Sequence, residues 1–491
     1  MTRRPALVLL AVFALGCGDE RSTLAGPPPI PDAELPALYA ALTDGDTAAE
    51  EAAVSRIAAA EDARFVPVLL ELLRAGQMGI GGRAGYNQRL VALERLTGKA
   101  LGGDWFRWAE WYAETDLAPP PGFASWKGSL FARIDPRFEA LLQDERPARI
   151  RVEEIDWAGV RFDGVPALEQ PAHVAADADV WLDANEPVVG IAAGGEARAY
   201  PLRILDWHEV VNDTLGGVPL SVASCPLSGS VIAYDARSGG EVLRFASSGL
   251  LLRSNKLMLD RGTETLWSQL DGRPVLGPLA ADGAVLAQLP AVVTSFGAWQ
   301  RRHPETTVLS LETGHDRPYL AAMPYGSYYE STQKMFPAPE RRRELPSKER
   351  VFALRTGGIA KAWPLRKLAE RRVVNDAAGE TNVVLVAHEG QLRVEARIRE
   401  GGSVAYEAGG AVRAYRRGEQ EFALGDDDST LRDAGGGVWR IEEEALRGPD
   451  GAALERVPGT LAYWFAWQAF HPETLVDAPA AEEAEPEPLV F

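Results

Sequence analysis

Cys225 is the residue of this chain best suited to chemistry. It opens Cys225-Pro226-Leu227-Ser228-Gly229 after an apolar run that reads as a strand, and His208-Glu209 lie upstream on a segment that reads as a short helix. A thiol becomes a strong nucleophile only as the thiolate, and an imidazole in hydrogen-bond reach lowers its pKa from a free value of about 8.5. The first reading is therefore a thiol oxidoreductase site. Cys225 is the nucleophile, His208 its charge partner, and Glu209 orients His208 or moves a proton, while Ser228 and Gly229 turn backbone N–H groups toward the sulfur. A second reading takes Cys225, His208 and Met258 as a soft-donor set for copper, because thiolate, imidazole and thioether suit Cu(I). Their spacing matches no compact zinc pattern. In a third, non-catalytic reading, Cys225 is a small buried hydrophobe and His208 a hydrogen-bonded interior histidine of an envelope scaffold or binding protein.

The chain contains its own control for sorting such residues. Ala199-Tyr200-Pro201-Leu202-Arg203 and Val210-Val211-Asn212-Asp213 recur, in one ungapped register, as Ala362-Trp363-Pro364-Leu365-Arg366 and Val373-Val374-Asn375-Asp376. Further on, with small gaps, Trp299-Gln300 and His303-Pro304-Glu305-Thr306 recur as Trp467-Gln468 and His471-Pro472-Glu473-Thr474. This is a tandem duplication of a folding unit. Residues common to both copies belong to the shared fold, and residues special to one are free to carry a task. His208-Glu209 face Arg371-Arg372 and Cys225 faces His388, so chemistry is expected in the first copy. His303 and His471 are expected to be structural.

The elements that must hold these residues are mostly strands. From about Arg151, short apolar runs alternate with Gly and Pro, interrupted by helical stretches at Leu202 to Asp213 and Thr294 to His303. On that helix Asn212 and Asp213, ahead of a glycine turn, read as helix-ending residues. His315 and His173 read as isolated loop residues. Upstream, Leu35 to about Glu114 has helical apolar spacing, with Trp105, Trp108 and Trp111 three apart on one face, where core packing is the expected role. The helix pairs resemble HEAT-like repeats.

The opening MTRRPALVLLAVFALGC has two arginines, an apolar run, and then Gly16-Cys17. It reads as an export signal ending in a lipobox, with lipidation of Cys17 and anchoring of the chain to a membrane in the periplasm or at the cell surface. With only two cysteines, that leaves Cys225 without an intramolecular partner. A formal charge of −19 and a pI near 4.9 argue against a nucleic-acid surface, so the expected partners are the membrane, through the lipid alone, and an unknown protein or small thiol.

Several ordered motifs, DGVPAL at Asp163 to Leu168, ARAYPL, WHEVVND, CPLSG, SGLLLRSNKLMLDR, TLWSQL, HPET and PYGSYY at Pro324 to Tyr329, resemble the bacterial DUF3179 family, a domain of unknown function, over roughly Val152 to Val476. Many relatives carry a second cysteine or a selenocysteine where this chain has Ser228. The resemblance implies dithiol-type redox chemistry, because such a pair can close a small ring. A hydroxyl cannot, so an oxidised Cys225 needs an external thiol to reset it.

The expected organisation is α+β. A lipoprotein signal peptide (1–17) and flexible tether (18–34) precede a HEAT-like helical domain (35–118) and a connector (119–150). Two related β-rich units with short helices follow at 151–335 and 351–477, joined by a linker (336–350) and ending in a disordered acidic tail (478–491). The first unit holds the candidate site.

Overall fold

The computed structural model describes residues 29–477, apart from 44, 82–84, 178–179, 321–323 and 398–401. Cys17 with its lipobox, most of the tether and the acidic tail lie outside the described residues. Among those described, no helix is long and apolar enough to cross a membrane.

The N-terminal part is helical: α1 (Leu35–Thr43), α2 (Thr47–Ala60), α3 (Val66–Met78), α4 (Tyr86–Thr97), α5 (Trp105–Ala113), α6 (Phe123–Phe131) and α7 (Arg137–Leu141). The sequence sets these ends locally. The Asp46 carboxylate accepts from the Ala48 and Ala49 N–H groups at the start of α2, and Gly79 ends α3 at φ 75°. Trp108 is fully buried, with Trp105 and Trp111 packed partly buried around it, so the tryptophan stripe is core. Helices continue past the Pro-Pro-Pro-Gly stretch, because α6 buries Phe123, Trp126 and Leu130 in the same core. A buried ion pair, Lys127 to Glu71 at 2.7 Å, ties α6 to α3.

The duplication is explicit in the sheets. In the first unit β1 (Pro187–Ala193) and β2 (Glu196–Pro201) form a hairpin, followed by α8 (Leu202–His208) and a second hairpin, β3 (Val210–Leu215) with β4 (Val218–Cys225). A further strand, β5 (Ser230–Asp235), extends it. Then β6 (Val292–Ser295) pairs with β1, α9 (Phe296–Arg302) follows, and β7 (Thr307–Leu309) runs parallel beside β2. Helix α10 (Gly326–Glu330) ends the unit. The second unit repeats the plan: β8 (Arg350–Thr356), β9 (Ile359–Pro364), α11 (Leu365–Arg371), β10 (Val373–Ala378), β11 (Thr381–Arg397) and β12 (Ser403–Arg416). Near its end, β13 (Thr460–Tyr463) pairs with β8, α12 (Trp464–Phe470) follows, and β14 (Leu475–Val476) runs parallel to β9. Register agrees as well: Val210 faces Ala223 and Val373 faces Val386. Residues shared by the copies do shared work. Trp299 donates to Thr306 at 2.8 Å and Trp467 to Thr474 at 2.9 Å, with His303 and His471 packed on those indoles.

Two expectations are corrected. The helix stops at His208, and Asn212 and Asp213 lie on β3, not at a helix end. Glu209 adopts φ 60°, ψ −32°, which breaks the helix, and the β-branched Val210-Val211 pair enters the ladder; Arg372 makes the same kink at φ 62°. Asn212 bonds both backbone groups of Phe245, as Asn375 does with Phe422. Asp213 accepts from Arg198 at 2.8 Å, Tyr200 at 2.9 Å and His173 at 3.0 Å, so His173 is a strand residue tied to this carboxylate. Asp376 accepts from Lys361 and Trp363.

Burial alone would raise the Asp213 pKa, but His173 and Arg198 outweigh it and hold the carboxyl below its ordinary range. Its stabilisation is therefore present above the unfolded carboxyl pKa and lost as pH falls through the lower folded value. Asp213→Ala is expected to cost about 3–5 kcal/mol, since it strands a buried cation. Asp376→Ala should cost less, because the Asp376 side chain is 26% exposed against 2% for Asp213. Urea unfolding of both variants measures the difference, and equal losses would contradict it.

Candidate functional site

Cys225 ends β4, and the next residues form a tight turn back into β5. Ser228 N–H donates to the Cys225 carbonyl and Gly229 N–H to the Pro226 carbonyl, each at 3.2 Å. Gly229 has φ 63°, and a Cβ there would lie 2.9 Å from the Tyr463 ring, so the turn and the neighbouring ring both call for glycine. Ser228 does not serve the sulfur directly. Its hydroxyl bonds Ser230 at 2.8 Å and accepts from Asn255 at 2.9 Å, while Gln269 accepts from both Ser230 and Asn255. This closed, buried network fixes the turn.

Cys225 is fully buried. It lines a cavity of about 30 Å³ together with Asp206, Ser230, Tyr329, Arg350 and Tyr406. Asp206 comes from α8, Tyr329 from α10, Arg350 from β8 and Tyr406 from β12, so both units build the site. Tyr329 donates to Asp206 at 2.7 Å and stacks on Tyr406 at 4.6 Å. Arg350 bonds the Gly229 carbonyl at 3.2 Å and lies 4.7 Å from the Tyr463 ring centroid. Burial pushes the Asp206 carboxyl up to about 7, with the Tyr329 hydroxyl and the Arg350 charge limiting the rise.

The motif Pro324 to Tyr329 packs beside this site, with Tyr325, Tyr328 and Tyr329 in the apolar cluster of Cys225. Tyr328 donates to the Leu227 carbonyl at 2.5 Å and Tyr325 contacts Glu209 at 3.4 Å. Glu209 forms a buried ion pair with Lys256. It is thus placed near the thiol cluster but is committed to a cation and not to His208.

His208 is not brought to Cys225 as expected. One ring nitrogen bonds the Pro166 carbonyl at 2.7 Å and the other the Tyr319 hydroxyl at 2.6 Å. A carbonyl accepts only from N–H, so Nδ1 carries the proton and Nε2 accepts from tyrosine. Burial pulls the His208 pKa down to about 4; the Pro166 bond opposes this, and the nearby His315 and Arg317 add to it. A neutral imidazole with both nitrogens engaged is no charge partner for a thiolate. His315 is no isolated loop residue either, its ring lying 5.2 Å from that of His208.

The copper set is likewise not assembled. Met258 is buried with Phe245 and Trp267 in one apolar cluster, whereas Cys225 belongs to another, with Leu227, Tyr328 and Phe465. Among the described residues, no group of three or more His, Cys, Asp or Glu side chains could hold a metal ion. The polar residues that share the cavity with Cys225, namely Asp206, Ser230, Tyr329, Arg350 and Tyr406, are not among the candidate residues of the sequence. Tyr329 carries a signal, as part of PYGSYY; Arg350 carries none at the end of the expected linker (336–350), and Tyr406 none in the second unit, where no chemistry is expected.

A raised carboxyl pKa gives a definite pH dependence. Below about pH 4 Asp206 is protonated folded or unfolded, and the favourable proton binding of the fold is lost as pH rises through about 7. Asp206→Asn should therefore gain stability relative to the parent between about pH 4 and 8, with the gain growing upward in pH. Urea unfolding across that range reads it, and a difference independent of pH contradicts it.

A family model described as "Protein of unknown function (DUF3179)" matches residues 162–474, a span that contains Cys225 and all five of its polar cavity neighbours named above. No curated protein and no solved structure matches the chain. With most of its length inside that match, the chain belongs to the DUF3179 family of proteins of unknown function.

Proposed function

We propose that the Cys225 site is a single-thiol redox centre that reduces a small hydroperoxide, carried on an exported protein anchored through a lipid on Cys17. One observation carries the redox reading. Cys225 lines a cavity of about 30 Å³ with an acid, a guanidinium and hydroxyls. A space of that size admits one or two water-sized molecules, which selects hydrogen peroxide or a very small organic hydroperoxide.

The chemistry balances within the site and one external thiol. The Cys225 thiolate attacks the peroxide; an S–O bond forms as the O–O bond breaks. The departing oxygen takes a proton from Asp206, which is still substantially protonated at neutral pH. Arg350 offsets the negative charge shared by sulfur and oxygen. Cysteine is oxidised to sulfenic acid and the peroxide is reduced to water or an alcohol. A small thiol then condenses with the sulfenic acid, releasing water, and a second thiol frees Cys225 and leaves as the disulfide. Ser228 keeps the turn in place but contributes no sulfur.

The competing reading, a binding or scaffold unit with an inert buried thiol, has the complete burial of Cys225 in its favour. Native protein with Cys17→Ser, in which Cys225 is the sole thiol, separates the two. On addition of hydrogen peroxide and a sulfenic-acid trap, peptide mass mapping should find the adduct on Cys225. Asp206→Asn should slow its formation by about 10²-fold at pH 7. Protein that stays unmodified when native yet reacts once unfolded would establish the inert reading. Membrane fractionation of the parent against Cys17→Ser tests the anchor: the parent should sediment with membranes and the variant should not.

A further inference from the structure

The duplication gives the Cys225 site a counterpart. His388 occupies the Cys225 position in the second unit, since Ala387 N–H bonds the Arg372 carbonyl as Ser224 N–H bonds that of Glu209. The helices facing the two positions also correspond. Cys225 packs in one apolar cluster with Ala466, Ala469 and Phe470 of α12. By the alignment of Trp299 and His303 with Trp467 and His471, their counterparts on α9 are Ala298, Arg301 and Arg302, and these line a cavity with His388. Each unit thus closes the other's pocket. The cavity at Cys225 is small, about 30 Å³, whereas the one at His388 has a volume of about 290 Å³ and three arginines, Arg301, Arg302 and Arg413, on its wall.

The carboxylates around this second cavity are already occupied. Glu443 takes Arg413 through bonds of 2.9 and 2.6 Å and also pairs with Arg456 at 3.3 Å. Asp428 pairs with Arg372, and one Asp427 oxygen accepts from both the Ser429 N–H and its hydroxyl. His388 donates to the Asp428 carbonyl at 2.7 Å; burial and the charges of Arg413 and Arg302 pull its pKa down to about 3, so it is neutral. Arg302 is left poorly satisfied. Among the described residues it forms no ion pair, and its two contacts, to the Asp428 carbonyl and His388 Nε2, are both 3.5 Å long. The second of these is not a bond, because Nε2 carries the proton given to Asp428. Burial and the nearby Arg413 disfavour the Arg302 charge. A guanidinium in this position has one long contact to a carbonyl and, among the described residues, no carboxylate partner, and carboxylate and phosphate fit such a fork in two-point fashion.

We propose that the cavity between α9 and the second unit binds a small anion through Arg302, the ligand carrying one carboxylate or phosphate head group. On the other side of Arg301 and Arg302 lies a further cavity of about 580 Å³, whose wall carries Glu196, Glu442 and Glu444 together with Arg440. This site is independent of the thiol chemistry, and Cys225→Ser should leave it intact.

Thermal unfolding of the Cys17→Ser chain tests it, with inorganic phosphate and propionate as separate probes at constant ionic strength made up with chloride. A midpoint that climbs with one probe identifies the head group, and a climb with both means that the fork accepts either. Arg302→Met should remove the rise, while Arg302→Lys should keep the charge and weaken apparent affinity by about 5-fold or more, having lost the two-point geometry. The melting temperature of each variant without ligand reports whether it is folded. No rise with either probe, or the same rise in Arg302→Met, overturns the proposal.

Discussion

The constraint on which the rest of the molecule depends is the burial of two duplicated sheets against each other. Val189, Tyr200 and Val222 of the first unit share one apolar cluster with Trp363, Leu385 and Val412 of the second. Neither unit could expose that face to water without losing the main favourable term in folding. The shared core also fixes where polar groups meet. Arg350 and Tyr406 reach Cys225 because β8 and β12 are locked against the first unit, and Arg302 reaches the His388 cavity by the reciprocal contact.

The duplication explains why conserved-looking motifs and candidate chemistry lie on different residues. Asn212 and Asp213 are repeated because each completes backbone or buried-charge bonding that the fold cannot leave open. His303 and His471 recur because each packs on the tryptophan one turn before it. By contrast, Cys225 has a histidine as its counterpart, and its surroundings differ from those of His388 in size, polarity and charge. One scaffold thus offers two pockets of different chemistry at related positions.

How much of this was legible in the sequence follows from the range of each interaction. The repeated strands and helices, the tryptophan core of the N-terminal part and the structural role of the HPET histidines could all be read, because each rests on local pattern or on comparison between copies. The extent of α8 could not. A β-branched pair after His208 is compatible with helix until its partner strand supplies the ladder, and that partner is a non-local fact. His208 misled for a related reason. Sequence proximity placed it near Cys225, but its ring turns to Pro166 and Tyr319. Asp206, two residues earlier, is the side chain that faces the thiol cavity.

The kink at Glu209 has an evolutionary reading. A non-glycine residue in a left-handed conformation costs free energy and is ordinarily suspected of serving a site. Here Arg372 adopts nearly the same angles in a unit that has no thiol at the matching place. The bend was therefore inherited from the ancestor that doubled, and it is older than the divergence of cysteine from histidine at the strand end.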